Sequence, residues 1–358
     1  MIIAYPQGLR SGVFALEERV SDGNLPGLIP CLNKNKIIQM KKYFVGTAGW
    51  SYEDWEGIVY PPLRGRGFHP LEYLAHFVDM VEINSTFYRP ATPGMAYSWL
   101  KRVQAFSRFL FTAKLLQVFT HQRKDFTRKD VSDFKRGIEP LAIKQRLAAI
   151  LIQFPWSFAW NAENLDYLEK IFALFSGFPL ALEVRHGSWD RPDFHEFLKE
   201  HKVCFCNIDQ PIFHNSIKPS AIVTNSLFSY VRLHGRNYKD WFREDAGRDD
   251  RYNYFYSKDE LEEWIGRIKK LAEGSDRVFV VTNNHYRGQA LANALQIKNM
   301  LTGEKVLVPA NLLEKYPVLK EIAKKLEKGQ FHLFEESAES ESPEAEKSET
   351  SAEPEKNR

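Results

Sequence analysis

The sequence predicts an α/β fold, a TIM-type (β/α)8 barrel with an N-terminal extension before it and a disordered acidic tail after it. Two observations predict this class. Short apolar runs of strand length alternate with amphipathic runs of helical period, which indicates a parallel sheet. Six of the apolar runs also end in two polar residues at positions i and i+2, which share one face of a strand. In a parallel barrel such groups meet at the carboxyl ends of the strands, where chemistry occurs in this fold.

Eight predicted strands account for the barrel. They span 43–47, 79–84, 109–114, 147–153, 179–185, 202–208, 228–234 and 277–283. The runs between them include HPLEYLAHF, AENLDYLEKIFALF, RPDFHEFLKEH and KDELEEWIGRIKKLAEG, with apolar residues at helical spacing. Asn161 and Ser257 are predicted N-caps, and Pro192 suits a first helical turn. An open doubly wound sheet is the main alternative, but no GxGxxG motif follows the first strand.

The polar pairs at the strand ends predict a shared cavity. They are Glu82/Asn84, Thr112/Lys114, Glu183/Arg185, Asn207/Asp209, Arg232/His234 and Asn283/His285. A single pair carries little information, whereas six pairs indicate strands that direct their polar ends toward a common space. The functional predictions depend on this convergence.

The chain of 358 residues divides into an N-terminal extension (1–42), a barrel domain (43–334) and a tail (335–358). The tail holds nine Glu against three basic residues and no large apolar residue, so it is predicted to be disordered. The whole chain carries a net charge of +3, and the chain without its tail carries +9. That charge favours an anionic ligand, and an ordinary solvated surface is the alternative.

Composition gives an expectation about the compartment. No apolar run approaches the roughly 20 residues that a membrane helix needs. The N-terminus lacks a basic stretch followed by a long apolar core. Of the cysteines Cys31, Cys204 and Cys206, the last two alternate on a predicted strand, as packing residues do. We expect a cytoplasmic protein with no membrane partner, and the sequence does not fix its oligomeric state.

Three carboxylates are predicted catalytic groups, namely Glu82, Glu183 and Asp209. Carboxylates that meet at a barrel mouth can hold a divalent cation, or divide into an acid and a base. Arg185 would keep Glu183 ionised. The alternatives are an internal salt bridge for Glu183 and a turn cap for Asp209.

Histidines follow several predicted strands, at His121, His186, His234 and His285. Their spacing matches no compact metal motif, so no cofactor is predicted and a divalent metal stays open. General acid–base catalysis by His234 or His285 is the preferred role.

Cations and amides complete the predicted site. Lys114, Arg185 and Arg232 would neutralise phosphate, since loops after strands seven and eight of barrels often bind it. The full substrate-binding set is Asn84, Lys114, His121, Gln153, Arg185, Arg232, Asn283 and Asn284. The alternative is an arginine ladder that neutralises the carboxylates inside the barrel.

Aromatic residues crowd the same loops, and most are expected to pack there. The long segment RNYKDWFREDAGRDDRYNYFY has the length of a lid or of a disordered loop.

The motifs together resemble the YecE-like family, a domain of unknown function. The matching runs include GTAGWSYEDWEGIVYPP, VEINSTFYRPATP, FTAKLLQVFTH, LALEVRHGSW, YVRLHGRN and TNNHYRGQALANA, within residues 43–303. The resemblance implies a TIM barrel, and it implies that the family's shared polar residues fall on the site residues named above. The family's activity is not established. Its barrel is similar to the endonuclease IV and xylose isomerase group, which suggests a nucleic-acid role by analogy.

We therefore predict an enzyme, a hydrolase of phosphodiesterase or nuclease type or a lyase. Its substrate or partner would be a phosphate-bearing small molecule, such as a sugar phosphate, or nucleic acid, bound at the carboxyl-terminal mouth of the barrel. Two alternatives stay open: a sugar isomerase or glycosidase-like enzyme, and a barrel that binds nucleic acid without catalysis. The sequence does not identify the substrate.

Overall fold

The computed structural model of the protein describes residues 42–62, 67–243, 245 and 247–324. The predicted tail lies outside these residues, and so does the predicted extension except for Lys42. The predicted barrel domain is described in most of its positions.

Eight parallel strands form a closed barrel in which each strand pairs with its neighbours in chain order. They are β1 Tyr43–Ala48, β2 Met80–Ile83, β3 Leu110–Lys114, β4 Leu147–Gln153, β5 Leu180–Glu183, β6 Cys204–Asp209, β7 Ser229–Leu233 and β8 Val278–Thr282. Pairing of β1 with β8 over Tyr43–Thr47 closes the barrel. The TIM-type fold predicted from the sequence is confirmed, and every predicted strand is present with ends that shift by at most two residues.

Helices cover the outside of the barrel. They are α1 Pro70–Leu74, α2 Pro93–Arg102, α3 Arg128–Ile143, α4 Ala162–Leu174, α5 Pro192–Glu200, α6 Arg248–Arg251, α7 Lys258–Gly274, α8 Gln289–Thr302 and α9 Ala310–Lys315. The side chain of Asn161 accepts a hydrogen bond from Asn164 N, and Ser257 caps α7 in the same way, as predicted. Pro192 opens α5. None of the described helices has the length and apolar character needed to cross a bilayer.

Strand register decides which side chains face the barrel interior. Residues paired across neighbouring parallel strands point to the same side of a sheet. Glu82 pairs with Thr112, Gln153 with Glu183, and Ile208 with Arg232. Arg232 binds both Glu82 and Glu183, so these three side chains share the barrel interior near the carboxyl ends of the strands. Apolar residues such as Phe44 and Phe279 fill the interior toward the other end.

Candidate functional site at the barrel mouth

A buried ion-pair network, centred on Arg232, fills the barrel interior beneath the mouth. Arg232 Nη2 donates to Glu82 Oε1 at 2.7 Å, and Arg232 Nη1 donates to Glu183 Oε2 at 2.5 Å. Tyr230 donates its hydroxyl proton to Glu82 Oε2 at 2.9 Å. Both carboxylates are fully buried, and Arg232 is 2% exposed. The arginine ladder considered from the sequence is therefore present for Arg232, with Glu82 and Glu183 as its partners.

The network fixes the charges of its members. Burial opposes the charge of Arg232, but Glu183 and Glu82 outweigh it and raise the pKa of Arg232 well above its usual value. Burial also opposes the charge of Glu183, but Arg232, His234 and Arg185 outweigh it and hold the pKa of Glu183 well below its usual value. Glu183 therefore stays ionised and paired, which makes it a poor general base.

His234 lies behind the same carboxylate. Its Nε2 is 3.2 Å from Glu183 Oε1, and its Nδ1 is 2.9 Å from the amide nitrogen of Asn283. Burial, with smaller contributions from Arg185 and Arg232, lowers the pKa of His234 to about 3 despite the nearby Glu183. The ring is thus neutral near pH 7, and with Asn283 donating to Nδ1 its proton lies on Nε2, facing Glu183. His234 is fully buried and is absent from the cavity lining, and its ring contacts Glu183 and Asn283.

Above the network a cavity of about 390 Å³ opens at the carboxyl ends of the strands. Its lining consists of Gly49, Trp50, Ser51, Tyr52, Asn84, Ser85, Phe87, Tyr88, Lys114, Arg185, Arg232, Tyr252, Asn283 and His285. Six of these were predicted site residues: Asn84, Lys114, Arg185, Arg232, Asn283 and His285. Glu82, Glu183 and His234 lie directly below and bind the lining residues. No Asp or Glu belongs to the lining formed by the described residues.

Arg185 offers donors to this cavity. Its Nε donates to Glu183 Oε1 at 2.9 Å, and its guanidinium carbon lies 5.6 Å from the centre of the Trp241 ring. No acceptor among the described residues takes a hydrogen bond from its two terminal nitrogens. Since the Nε bond and the ring fix the plane of the guanidinium, the terminal nitrogens form an oriented pair of donors suited to an oxyanion.

Lys114 is the last residue of β3, and its side chain is half-buried. Its Nζ lies 4.0 Å from the centre of the Phe87 ring. Within the part of the chain that the structure describes, this ammonium makes no hydrogen bond or ion pair. Burial and the charge of Arg232 lower the pKa of Lys114 to about 7, against the opposing effect of Glu183 and Glu82. The ammonium of Lys114 therefore loses its proton more readily than that of an exposed lysine.

Aromatic rings form one wall of the cavity. His285 stacks on Tyr52 with ring centres 4.4 Å apart, and the Tyr252 ring centre lies 5.3 Å from that of His285. The indole nitrogen of Trp55 donates to the His285 carbonyl at 2.7 Å. Tyr252 was not singled out from the sequence. It comes from the long segment after β7, for which the sequence left a lid and a disordered loop as alternatives, and the length of that segment was the only signal for Tyr252.

Asp209 does not face the cavity, contrary to the prediction. It alternates with Ile208, the inward partner of Arg232, so Asp209 and Asn207 point away from the barrel axis. Arg236 Nε donates to both oxygens of Asp209, at 2.9 and 3.2 Å. Asn207 Oδ1 accepts from Ser220 and from Ile222 N. Five of the six polar pairs therefore reach the interior or its mouth, and the β6 pair stabilises the outer layer.

Three other predicted residues lie beside the cavity without lining it. Asn284 donates to Tyr254 O and to Asn293 Oδ1, at 2.7 and 2.8 Å. Gln153 donates to Phe154 O at 2.7 Å. His121 packs edge-on against the lining residue Phe87, with ring centres 4.8 Å apart. These residues support the walls of the cavity.

A metal centre finds no support in the arrangement of acidic, histidine and cysteine side chains. Among the residues described, no three of these side chains converge as a ligand set. Cys204 and Cys206 are buried free thiols. Burial raises the pKa of both thiols, so they remain protonated packing groups.

Comparison with known proteins gives the family. The profile of a family described as "Protein of unknown function DUF72" matches residues 44–316. The chain belongs to the DUF72 family. The match confirms the family resemblance seen in the sequence motifs, and it includes the cavity lining and all eight strands except the first residue of β1.

Similar proteins with names or solved structures each cover nearly three quarters of the chain. The UPF0759 protein YunF of Bacillus subtilis (strain 168) is 32% identical over 275 residues, which is 72% of this chain and 94% of YunF. The crystal structure of a DUF72 family protein from Thermotoga maritima MSB8 is 34% identical, with a TM-score of 0.63, and covers 73% of this chain and 99% of its own. One from Enterococcus faecalis V583 is 26% identical, with a TM-score of 0.63, and covers 72% and 95%.

Proposed function

We propose that this DUF72 protein is an enzyme, a lyase or hydrolase, acting on a small phosphate-bearing substrate in the mouth cavity. One observation carries the proposal. The lining of the cavity contains Arg185, whose terminal nitrogens bind no acceptor among the described residues, together with Lys114, and no carboxylate belongs to this lining among the described residues. An anion that enters therefore meets positive charge and neutral donors.

The local charges favour phosphate at Arg185 in particular. Arg232 is neutralised by two carboxylates, Glu82 and Glu183, and its side chain is almost inaccessible. Arg185 has its two terminal nitrogens available, and Lys114 shares the same lining. Two parallel N–H groups match two oxygens of a phosphate group, and such charged hydrogen bonds contribute about 1.5–3 kcal/mol each.

The size of the cavity favours a small molecule over a nucleic-acid strand. A volume of about 390 Å³ lies within the roughly 300–1,000 Å³ range of small-ligand sites. Binding of single strands typically uses a charged groove that tracks the backbone. The aromatic wall of Tyr252 and His285 suits the flat or apolar face of a sugar-sized ligand.

The buried carboxylates argue against a glycosidase-like mechanism. Such a mechanism needs one carboxyl group as an acid and another as a base or nucleophile beside the scissile bond. Glu82 and Glu183 are instead both paired with Arg232 beneath the cavity. The remaining groups suited to proton transfer are Lys114 and His285, which line the cavity directly.

Calorimetric titration with inorganic phosphate, sugar phosphates and the matching neutral sugars tests the proposal. We expect the phosphorylated compounds to bind and the neutral sugars not to bind. Arg185→Gln should weaken phosphate binding at least about tenfold, because charged hydrogen bonds are lost. Arg136→Gln, at an exposed arginine on α3, is the control and should change nothing.

A turnover screen with the sugar phosphates that bind comes next, monitored by phosphorus NMR. Consumption of a substrate that Lys114→Met abolishes is the expected result. Equal binding of neutral and phosphorylated sugars, or binding indifferent to Arg185→Gln, would refute the proposal. Binding of oligonucleotides without turnover would favour the non-catalytic alternative.

A further inference from the structure

We propose that Lys114 is a nucleophile whose amine forms an imine with the carbonyl carbon of a short phosphate-bearing aldehyde or ketone. This inference rests on the proposed function, since the phosphate bound at Arg185 would bring the carbonyl group to Lys114. It narrows the reaction class to a lyase, because an imine activates the carbon next to it.

The surroundings of Lys114 are unlike those of a structural buried lysine. Charged groups in protein interiors are normally paired. The carboxylates that could serve Lys114 are Glu82 and Glu183, and both already bind Arg232. Thr112, two residues earlier on the same face of β3, binds the Tyr230 hydroxyl and so fixes the strand on the ion-pair network. Lys114 is left with the face of Phe87 beneath its Nζ and the cavity in front of it.

The electrostatic setting keeps the amine reactive. A lysine becomes a nucleophile when it loses its proton, which burial and neighbouring cations promote. Burial, Arg232 and Arg185 act in this direction on Lys114 and hold its pKa at about 7. Glu183 and Glu82 act in the opposite direction, so burial is the main cause of the lowered pKa of Lys114. Glu183 binds both Arg232 and Arg185, which fixes their positions relative to the amine.

The proposed step balances without an oxidant or metal. The lone pair of the neutral Lys114 nitrogen forms a C–N bond with the carbonyl carbon, and the C=O π electrons move to oxygen. One N–H proton passes to that oxygen and gives a carbinolamine. Loss of water, with the second N–H proton, leaves a C=N bond in place of C=O. His285 and Tyr252 line the cavity and can pass these protons. Protonation of the imine draws electrons from the adjacent carbon, so a C–H or C–C bond there is weakened, and water later reverses the imine.

Reductive trapping tests the inference. The full-length protein is incubated with dihydroxyacetone phosphate or glycolaldehyde phosphate, and sodium cyanoborohydride is added to convert an imine into a stable secondary amine. Mass spectrometry should show one adduct with the mass of the probe less one oxygen atom, located at Lys114 by peptide mapping. Unphosphorylated dihydroxyacetone should be trapped at least about tenfold more slowly, since it lacks the charged contact to Arg185.

Three variants keep the test interpretable. Lys114→Met and Lys114→Arg should both lose the adduct, and circular dichroism establishes that each is folded. Lys144→Met, at an exposed lysine that follows α3, should retain the adduct. Labelling spread over surface lysines at the same rate as Lys114 would overturn the inference.

Failure of the inference is distinguishable from failure of the proposed function. If calorimetry shows that dihydroxyacetone phosphate binds in an Arg185-dependent way and no Lys114 adduct forms, the imine is refuted and the phosphate site stands. If neutral and phosphorylated ketones label Lys114 equally and neither binding nor labelling depends on Arg185, the phosphate-bearing substrate is refuted.

Discussion

Arg232 Nη1 donates to Glu183 Oε2 at 2.5 Å, although the two residues lie on strands β7 and β5, which are not neighbours in the barrel. The bond crosses the interior and ties separate parts of the sheet together. It also holds the Glu183 carboxylate below the cavity, so that this group does not line it. One contact therefore contributes to both the stability of the barrel and the charge of its mouth.

Glu183→Gln should destabilise the protein by about 3–5 kcal/mol, because removal of one partner from a buried ion pair leaves charge without compensation. Urea unfolding followed by circular dichroism measures the free energy. Glu196→Gln, which removes an exposed pair with Lys199, is the control and should have little effect. Equal losses in the two variants would contradict the role of the network.

Stability should fall as pH decreases below about 6.5, because burial keeps His234 neutral in the folded protein while the unfolded chain takes up a proton. The folded pKa of about 3 lies below the unfolded value, so the stabilisation is complete above pH 6.5 and declines toward pH 3. His234→Asn should reduce the slope of the unfolding free energy against pH by about 1.4 kcal/mol per pH unit between pH 3 and 6.5.

The measurement is urea unfolding at a series of pH values. His214→Asn, at an exposed loop histidine, is the matched control and should leave the slope as in the parent protein. A slope unchanged in His234→Asn would show that this ring gains its proton as readily in the folded as in the unfolded state.

Lys114→Met should raise the pKa of His121. Burial lowers the pKa of His121 to about 4, and the charge of Lys114 is the next largest cause. Lys114 is protonated in the acidic range where His121 titrates, so it disfavours a second positive charge. NMR titration of the histidine ring protons measures the change. Lys101→Met, at an exposed position on α2, should leave His121 unaffected; the same shift in both variants would point to a general charge effect.

Asp209→Asn should lower stability and leave phosphate binding unchanged. The carboxylate is fully buried and accepts two hydrogen bonds from Arg236, so we expect a loss of about 1.5–3 kcal/mol. Unfolding and calorimetry on the same preparation separate the two effects. Weakened phosphate binding in a folded Asp209→Asn variant would place this residue in the functional site after all.

The strands were predictable because buried parallel strands appear as continuous apolar runs with polar ends. For the same reason the sequence does not show which side chains of a strand point into the barrel. Both faces of such a strand are buried, so sequence alone does not distinguish inward from outward positions. For β2, β3, β5 and β7 the i, i+2 pairs happened to be inward. In β6 the inward-facing side chain is that of Ile208, so the next residue, Asp209, points outward and not into the cavity as predicted.

Which site residues bind one another was less predictable from the sequence than which residues lie near the site. Glu82, Glu183 and Arg232 are far apart in the sequence, and only the closed barrel determines that two carboxylates bind one arginine. Tyr252 illustrates a second limit, since a residue in a long irregular loop carries no periodicity that relates it to the cavity. The availability of Lys114 depends on these pairings, and so it became apparent only with the structure.

The absence of carboxylates from the described lining has a practical consequence for biochemistry. If Arg185 binds phosphate as proposed, the same donors would also bind the sulfate and phosphate of common buffers. For the proposed enzyme these anions would compete with the substrate, and an assay in such salts would underestimate its activity. Amine or zwitterionic buffers with chloride as the counter-ion are the appropriate medium for the first activity screens.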